Sequence, residues 1–472
     1  MTYSPLQFLD HPSGLAHVPG PSLPLYAVRP EGLGACLAAL PEAAAQARLL
    51  GFTGEAGRVL LYADAQGALA GALLGLGNAP ESIGFGAAAA ALPAGSLWHI
   101  EPGGFDPERA ERAFLLGAYR YQTQRARQAD FAQLAPQRAQ AQPRARILAG
   151  SMMLARELIN TPPNLLGPAE LAQAALDVAQ HFGAEAEAIT GAALEANYPT
   201  VAAVGAGSAR TPVVVVLRWQ GSQAGTEAKL VSLCGKGVCF DTGGYNLKPG
   251  GSMRLMRKDM GGAAIMLGLA SAIMALDLPI RLELRLGCVE NSVSGHAMRP
   301  SDILRTRSGI SVEVGDTDAE GRLVLCDLLH EACGAQPHWL IDAATLTGAA
   351  RVALGPDLPA LFSNDDALAQ TILESGLIEN DPLWRLPLHA PYAAWLETPY
   401  ADLCNISSKP MAGAVTAALF LQHFISKNTH WAHIDTYAWN DATRPGKPEG
   451  GEAQTLQALL AAIEGLSRPH AM

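Results

Sequence analysis

Charge is scarce in this 472-residue chain: 16% of its residues are Asp, Glu, Lys or Arg, and 33 basic side chains face 44 acidic ones, for a formal charge of −11. With 49% hydrophobic residues, that is too apolar for a disordered chain and long enough for about two or three domains. The missing basic excess, with a pI near 5.6, argues against a general nucleic-acid binder. Gly and Pro number 48 and 32, without a collagen-like period. Cysteines number seven, an odd count at irregular spacing. Several sit in apolar runs, which suits buried thiols in a reducing compartment rather than a disulfide framework. The opening MTYSPLQFLDHPSG has neither a basic segment nor an apolar core of signal-peptide type, so the expected location is cytoplasmic. One uncharged run, the 17 residues Met260 to Leu276, needs a membrane check. It sits at the lower length limit, holds glycines and lacks aromatic anchors, so it reads as a buried helix and no membrane is expected.

What is present is a strand–helix rhythm. Arg58–Tyr62 and Ser96–Ile100 read as strands, Ala87–Leu92 and Glu108–Tyr121 as helices, which predicts a small N-terminal α/β domain. Tyr121 to Arg146 is rich in Gln, Arg and Ala and reads as an exposed linker or connecting helix, followed by a helix over about Ile147–Ile159 that ends at Pro162-Pro163. Beyond it, Val213–Leu217 and Leu230–Cys234 read as buried strands, Arg281–Val289 as a strand that alternates charged and apolar residues before turning apolar, and Trp339–Ile341 as a short apolar one. The expected architecture is α/β: a smaller N-terminal domain and linker (1–140), then a larger catalytic domain (141–472) with a mostly parallel central sheet flanked by helices. In such sheets functional residues collect at the carboxyl ends of the strands.

Three segments set charge against glycines: Leu233 to Gly244 followed by Lys248, Met256 to Gly262, and Val312 to Leu323. Asp318 and Glu320 are two apart, so in an extended strand both would face the same side. Like charges on a buried face need a cation. With Asp241 and Asp259 they make four carboxylates, which two divalent ions would neutralise. Such oxygen-rich sites suit Mg²⁺, Mn²⁺ or Zn²⁺, and two ions about 3.5–4 Å apart polarise a carbonyl and generate hydroxide near neutral pH. Lys248 and Arg322 would serve as electrophile or anion holder. Taken singly, Asp241 also reads as a turn aspartate, Asp259 as a helix cap and the Asp318/Glu320 pair as a solvated edge. The GKG at Gly235–Gly237 is no phosphate loop, because Leu230 stands where glycine is needed and Gly237 where Ser or Thr is needed. Spacing alone reaches a candidate two-metal carboxylate site.

The residue strings add more. GKGVCFDTGG with Lys248, DMGGAA from Asp259, DTDAEGRLVLCDLL from Asp316, IDAATLTGA at Ile341–Ala349 and HID at His433–Asp435 resemble the signatures of the leucyl aminopeptidase family of two-metal exopeptidases. The separations of 18 residues from Asp241 to Asp259 and 59 from Asp259 to Asp318 are those expected of that family, and the likeness covers roughly 150–472. FSNDDA at Phe362 and LWRLPL at Leu383 look most like the peptidase B branch. The resemblance implies that Lys236, Asp241, Asp259 and Glu320 line one metal, with Asp241 and Glu320 bridging to a second held also by Asp318. It implies that Lys248 steadies the tetrahedral oxyanion and that Arg322 holds a bicarbonate relaying the proton of a metal-bridging water. It further implies that Met256, Thr345, Leu346 and Gly348 lie in or beside the first-residue pocket. The expected enzyme is a Zn²⁺- or Mn²⁺-dependent (or Mg²⁺-dependent) aminopeptidase. It would remove N-terminal Leu, Met or similar residues from short peptides, and would assemble as a homohexamer enclosing its sites.

Two readings from other classes remain beside it. A two-metal phosphoesterase would favour further His ligands and a basic channel, yet the one close pair, His430 and His433, lacks the HExxH pattern. A non-catalytic scaffold or binding homologue would have lost Lys248 or a carboxylate, and none is lost. Where the family pattern has Asn and Ser, this chain has Asp316 and Thr242. Asp316 adds a carboxyl beside the ligands. Asp316→Asn is therefore expected to change metal affinity or the acidic limb of the pH–activity profile, measured by metal titration and rate profiles; no change in either would refute a role for the extra carboxyl.

Overall fold

The computed structural model describes residues 5–121, 130–136 and 143–467. The chain divides into two compact units, one formed by residues 1–153 and 440–450, the other by 154–439 and 451–472. The helix Pro143–Asn160 contains the first boundary.

In the first unit β1 (Leu23–Val28), β2 (Val59–Ala63), β3 (Leu69–Gly75), β4 (Leu97–Ile100) and β5 (Gln133–Leu134) form one sheet in the order β2-β3-β1-β4-β5. β1 runs parallel to both β3 and β4, while β2 is antiparallel to β3. The helix Pro107–Ala118 starts where the Asp106 carboxylate accepts the N–H groups of Glu108 and Arg109, with proline in the first turn. The helix expected over Ala87–Leu92 spans Glu81–Ala91 instead, with Gly84 and Gly86 buried inside it. Part of the expected linker is not solvated: Gln133–Leu134 is an edge strand paired in parallel with β4. The rest of that segment, 122–129 and 137–142, lies outside the described residues.

The second unit is built on β6 (Glu185–Ile189), β7 (Val213–Gln220), β8 (Leu230–Asp241), β9 (Arg281–Asn291), the short β10 (Ile303–Arg305) and β11 (Ser311–Glu313), β12 (Trp339–Ala344), β13 (Ala360–Ser363), β14 (Trp384–Arg385), β15 (Leu403–Cys404) and β16 (Trp431–Asp435). Eight of these make the main sheet, ordered β14-β13-β16-β12-β8-β9-β7-β6, and β10, β11 and β15 make a small second sheet. The main sheet is mixed. β16, β12, β8 and β9 are mutually parallel at its centre, whereas β7, β6 and β13 join antiparallel. Val213–Leu217 is thus a strand, but of antiparallel sense; its buried apolar run reports two covered faces, not direction. The apolar run at Met260 forms the helix Gly261–Ala275, buried throughout all but its last residue. It packs on the sheet so closely that a Cβ at Gly262 would stand 2.0 Å from the Ala343 carbonyl oxygen.

The central parallel strands end side by side in Asp241, Asn291, Ala344 and Asp435. Within the same unit Arg156 and Glu452, 1% and 3% exposed, form a bidentate pair at 3.0 and 3.1 Å. Breaking a buried pair strands a charge away from water. Glu452→Gln is expected to cost about 3–5 kcal/mol, read as a lower urea midpoint by tryptophan fluorescence; an unmoved midpoint would show that the pair is not holding the fold.

Candidate metal centre

Four carboxylates meet beyond the ends of the parallel strands. Asp241 is the last residue of β8, Asp259 lies in the short 3-10 segment Met256–Met260, and Glu320 precedes the helix Gly321–Gly334. The extended strand expected for Asp318 and Glu320 is absent: Glu320 has φ −73° and ψ −31°, and the pair occupies a turn leading into the helix. Tertiary packing, not strand alternation, brings them together. Ligand-capable oxygens of Asp241, Asp259 and Glu320 lie within 4.8 Å of one another. All three residues are at most 3% exposed, and Asp318 is partly open.

Two lysines compensate this charge in part. Lys236 Nζ stands 2.8 Å from Asp259 Oδ2 and 2.9 Å from Glu320 Oε1, and donates to the Thr345 carbonyl at 2.9 Å. It reaches them because residue 321 is glycine; a Cβ there would come within 2.7 Å of Nζ. Lys248 Nζ stands 2.7 Å from Asp241 Oδ2 and also contacts Asp318 Oδ1. Burial disfavours both ammoniums, but the surrounding carboxylates outweigh it and raise both lysine pKa values. Burial first, and then Asp241, raise the carboxyl pKa values of Asp318 and Glu320. Four carboxylates against two ammoniums leave the cluster formally negative. Glu320 Oε2 is buried without a hydrogen-bond donor, while Asp259 Oδ2 and Asp318 Oδ1 meet lysine ammoniums rather than hydroxyl or amide donors. Four carboxylates, three of them buried and together under-compensated, make an oxygen-rich donor set that fits divalent cations.

The cluster forms the floor of a cavity of about 430 Å³ whose walls include Met256, Lys258, Thr345, Leu346, Gly348, Arg351 and Tyr437. Two profiles of one family match this chain. The one described as "Cytosol aminopeptidase family, catalytic domain" covers residues 153–460, and "M17 aminopeptidase, N-terminal domain" covers 23–136. The chain belongs to the cytosol aminopeptidase family.

Among solved structures, the cytosol aminopeptidase from Coxiella burnetii is 42% identical with a TM-score of 0.90, over 96% of this chain and 99% of that one. The bottromycin maturation enzyme BotP in complex with Mn is 32% identical with a TM-score of 0.86, over 95% of this chain and all of that one. Peptidase B from Pectobacterium atrosepticum is 46% identical over 60% of this chain and 66% of its own length. The chain spans about two thirds or slightly less of the length of the curated relatives it matches.

Of the residues singled out from the sequence of this family member, Lys236, Asp241, Lys248, Met256, Asp259, Asp318, Glu320, Thr345, Leu346 and Gly348 all line the cavity. Arg322 does not. It is buried, with Nη1 donating to the Asn405 carbonyl at 2.5 Å and Nε unpartnered. Burial lowers its pKa to about 10, against the opposing pull of Glu320 and Asp435. Asp316 turns its Oδ1 to accept the Asp318 N–H at 2.8 Å, so the residue that departs from the family pattern shapes the loop.

Several residues escaped sequence reasoning. Asn291 Nδ2 bridges Asp241 Oδ1 at 2.9 Å and the Thr317 carbonyl at 3.0 Å, tying two carboxylate-bearing segments together. Thr345, already named for the pocket, has a second task the sequence did not suggest, donating its hydroxyl to Asp259 Oδ1 at 2.8 Å. Asp435 accepts the N–H groups of Leu346 and Thr347 at 3.0 and 3.1 Å and the Thr347 hydroxyl at 2.6 Å, anchoring the pocket loop. The HID string marked Asp435 as part of a motif but gave no task for it, since its partners lie 88 and 89 residues away. Asp435→Ala is expected to destabilise the protein by about 2–4 kcal/mol and to speed amide exchange at Leu346 and Thr347, measured by hydrogen–deuterium exchange. Unchanged protection at those amides would contradict the anchoring.

Proposed function

We propose that this protein is a metal-dependent aminopeptidase that removes the N-terminal residue from short peptides, preferring Leu, Met or similar apolar side chains. The observation carrying this reading is the buried, under-compensated carboxylate cluster at the floor of a cavity walled by Met256 and Leu346. Lys236, as a neutral amine that a directly contacting dication would favour over the ammonium, would join Asp241, Asp259 and Glu320 in holding one divalent ion, and Asp241, Glu320 and Asp318 would hold a second. Zn²⁺ or Mn²⁺, with Mg²⁺ as a further option, suits the donor set, and the BotP structure that contains Mn supports it. When bound, the ions supply Lewis acidity toward the peptide carbonyl and acidify water near neutral pH.

The chain's own groups do the rest. Lys248, kept charged by its carboxylate neighbours, donates to the carbonyl oxygen as negative charge develops there. Asp259, fixed by the Thr345 hydroxyl, accepts the α-amine and so selects the chain terminus. The unpartnered Nε of Arg322 gives a buried cation a free donor, the feature a bound bicarbonate needs. Catalysis is assigned to residues 141–472, with 1–140 as a separate domain. The same reading makes the enzyme a homohexamer and places it in the cytoplasm, the location in line with relatives named cytosol aminopeptidases. One observation favours a second substrate reading: Lys258 and Arg351 both lie over the Tyr437 ring, at 4.6 and 5.0 Å, a cationic wall suited to an acidic side chain.

Chelated protein should lose p-nitroaniline release from Leu-p-nitroanilide and regain it with Mn²⁺ or Zn²⁺. Lys248→Ala should lower kcat/KM by about 10²–10³-fold. Full activity after exhaustive chelation, or a variant at the parent rate, would sink the proposal. A panel of Leu, Met, Asp and Glu derivatives decides between the two substrate readings.

A further inference from the structure

We infer that Asn405 is the positioning residue for the metal-ligand loop 315–320, an inference that rests on the carboxylate cluster being a metal site. Asn405 follows β15, far in sequence from any ligand, and is fully buried. Its Oδ1 accepts the N–H of Gly315 at 2.7 Å and of Asp316 at 3.2 Å. Its Nδ2 donates to the carbonyls of Asp316 at 2.8 Å and Ala319 at 3.3 Å. A side-chain amide offers two donors and one oxygen with two lone pairs, so its capacity is filled entirely by the backbone of this loop.

The backbone of Asn405 serves the same segment. Its N–H donates to the Glu313 carbonyl at 3.0 Å, continuing the parallel pairing of β11 with β15, and its carbonyl accepts from Arg322 Nη1 at 2.5 Å. One residue therefore grips the chain before, within and after Asp318 and Glu320. Ala319, whose carbonyl it holds, lies between those two carboxylates. The chemistry admits no close substitute. Aspartate is the same size but turns both donors into lone pairs facing the Asp316 and Ala319 carbonyls. Alanine removes all four side-chain bonds while keeping the strand pairing and the Arg322 contact, which use only the backbone.

The test titrates metal-free protein with Mn²⁺ and with Zn²⁺ by calorimetry, alongside Glu320→Gln as a variant lacking a ligand charge. Asn405→Asp and Asn405→Ala are each expected to bind metal about 10–100-fold more weakly than the parent, as loss of a ligand-orienting hydrogen-bond partner does. The rise in melting temperature on adding metal should shrink with them. If either variant lowers the metal-free melting temperature yet binds metal within twofold of the parent, Asn405 is merely structural and the inference fails. Weak binding by Glu320→Gln beside parent-like binding by Asn405→Asp overturns the inference alone. A parent protein that binds neither ion overturns the metal-centre reading beneath it.

Discussion

The structure turns on an imbalance of charge held out of water. Asp241, Asp259 and Glu320 are buried within reach of one another, and Asp318 stands at their edge. The lysines beside them do not balance the account. Isolated carboxylates in such a setting would take up protons or scatter. Here they are kept together by a strand end, a helix start and a short 3-10 segment at one end of the parallel strands. Most other features of the site serve that convergence: the missing side chain at Gly321 that admits Lys236, the Asn291 bridge between two carboxylate-bearing segments, and the Asp435 anchor of the pocket loop.

Much of this was legible in the chain. Strands of the central sheet announced themselves as apolar runs, because strands covered on both faces cannot alternate. The four carboxylates were readable because charge beside glycine within apolar sequence is rare, and the strings around them carried the family resemblance. Local pattern does not contain direction. Val213–Leu217 gave no sign that it runs antiparallel, and Asp318 and Glu320 suggested an extended segment where a turn and a helix start are found. Residues two apart share a side in a strand, yet the same two residues were placed together by long-range packing instead.

Roles that depend on distant partners were the least visible. Asn291, Asn405 and Asp435 act on backbone groups tens of residues away, and nothing near them in sequence names the partner. Arg322 shows the converse. Its motif named a task, holding an anion, but not its partner 83 residues away, the Asn405 carbonyl to which Nη1 donates.

The order of these pieces along the chain has a consequence for biosynthesis. A polypeptide leaving the ribosome presents Asp241, Asp259, Asp318 and Glu320 well before Asn405 and Asp435 have been made. Until those later residues arrive, the loop 315–320 lacks the Asn405 side chain and the pocket loop lacks its Asp435 anchor. On the proposed metal reading, ion capture would then belong to the completed chain rather than the nascent one, and a ribosome-stalled fragment ending before Asn405 would carry the four carboxylates without the residues that frame them.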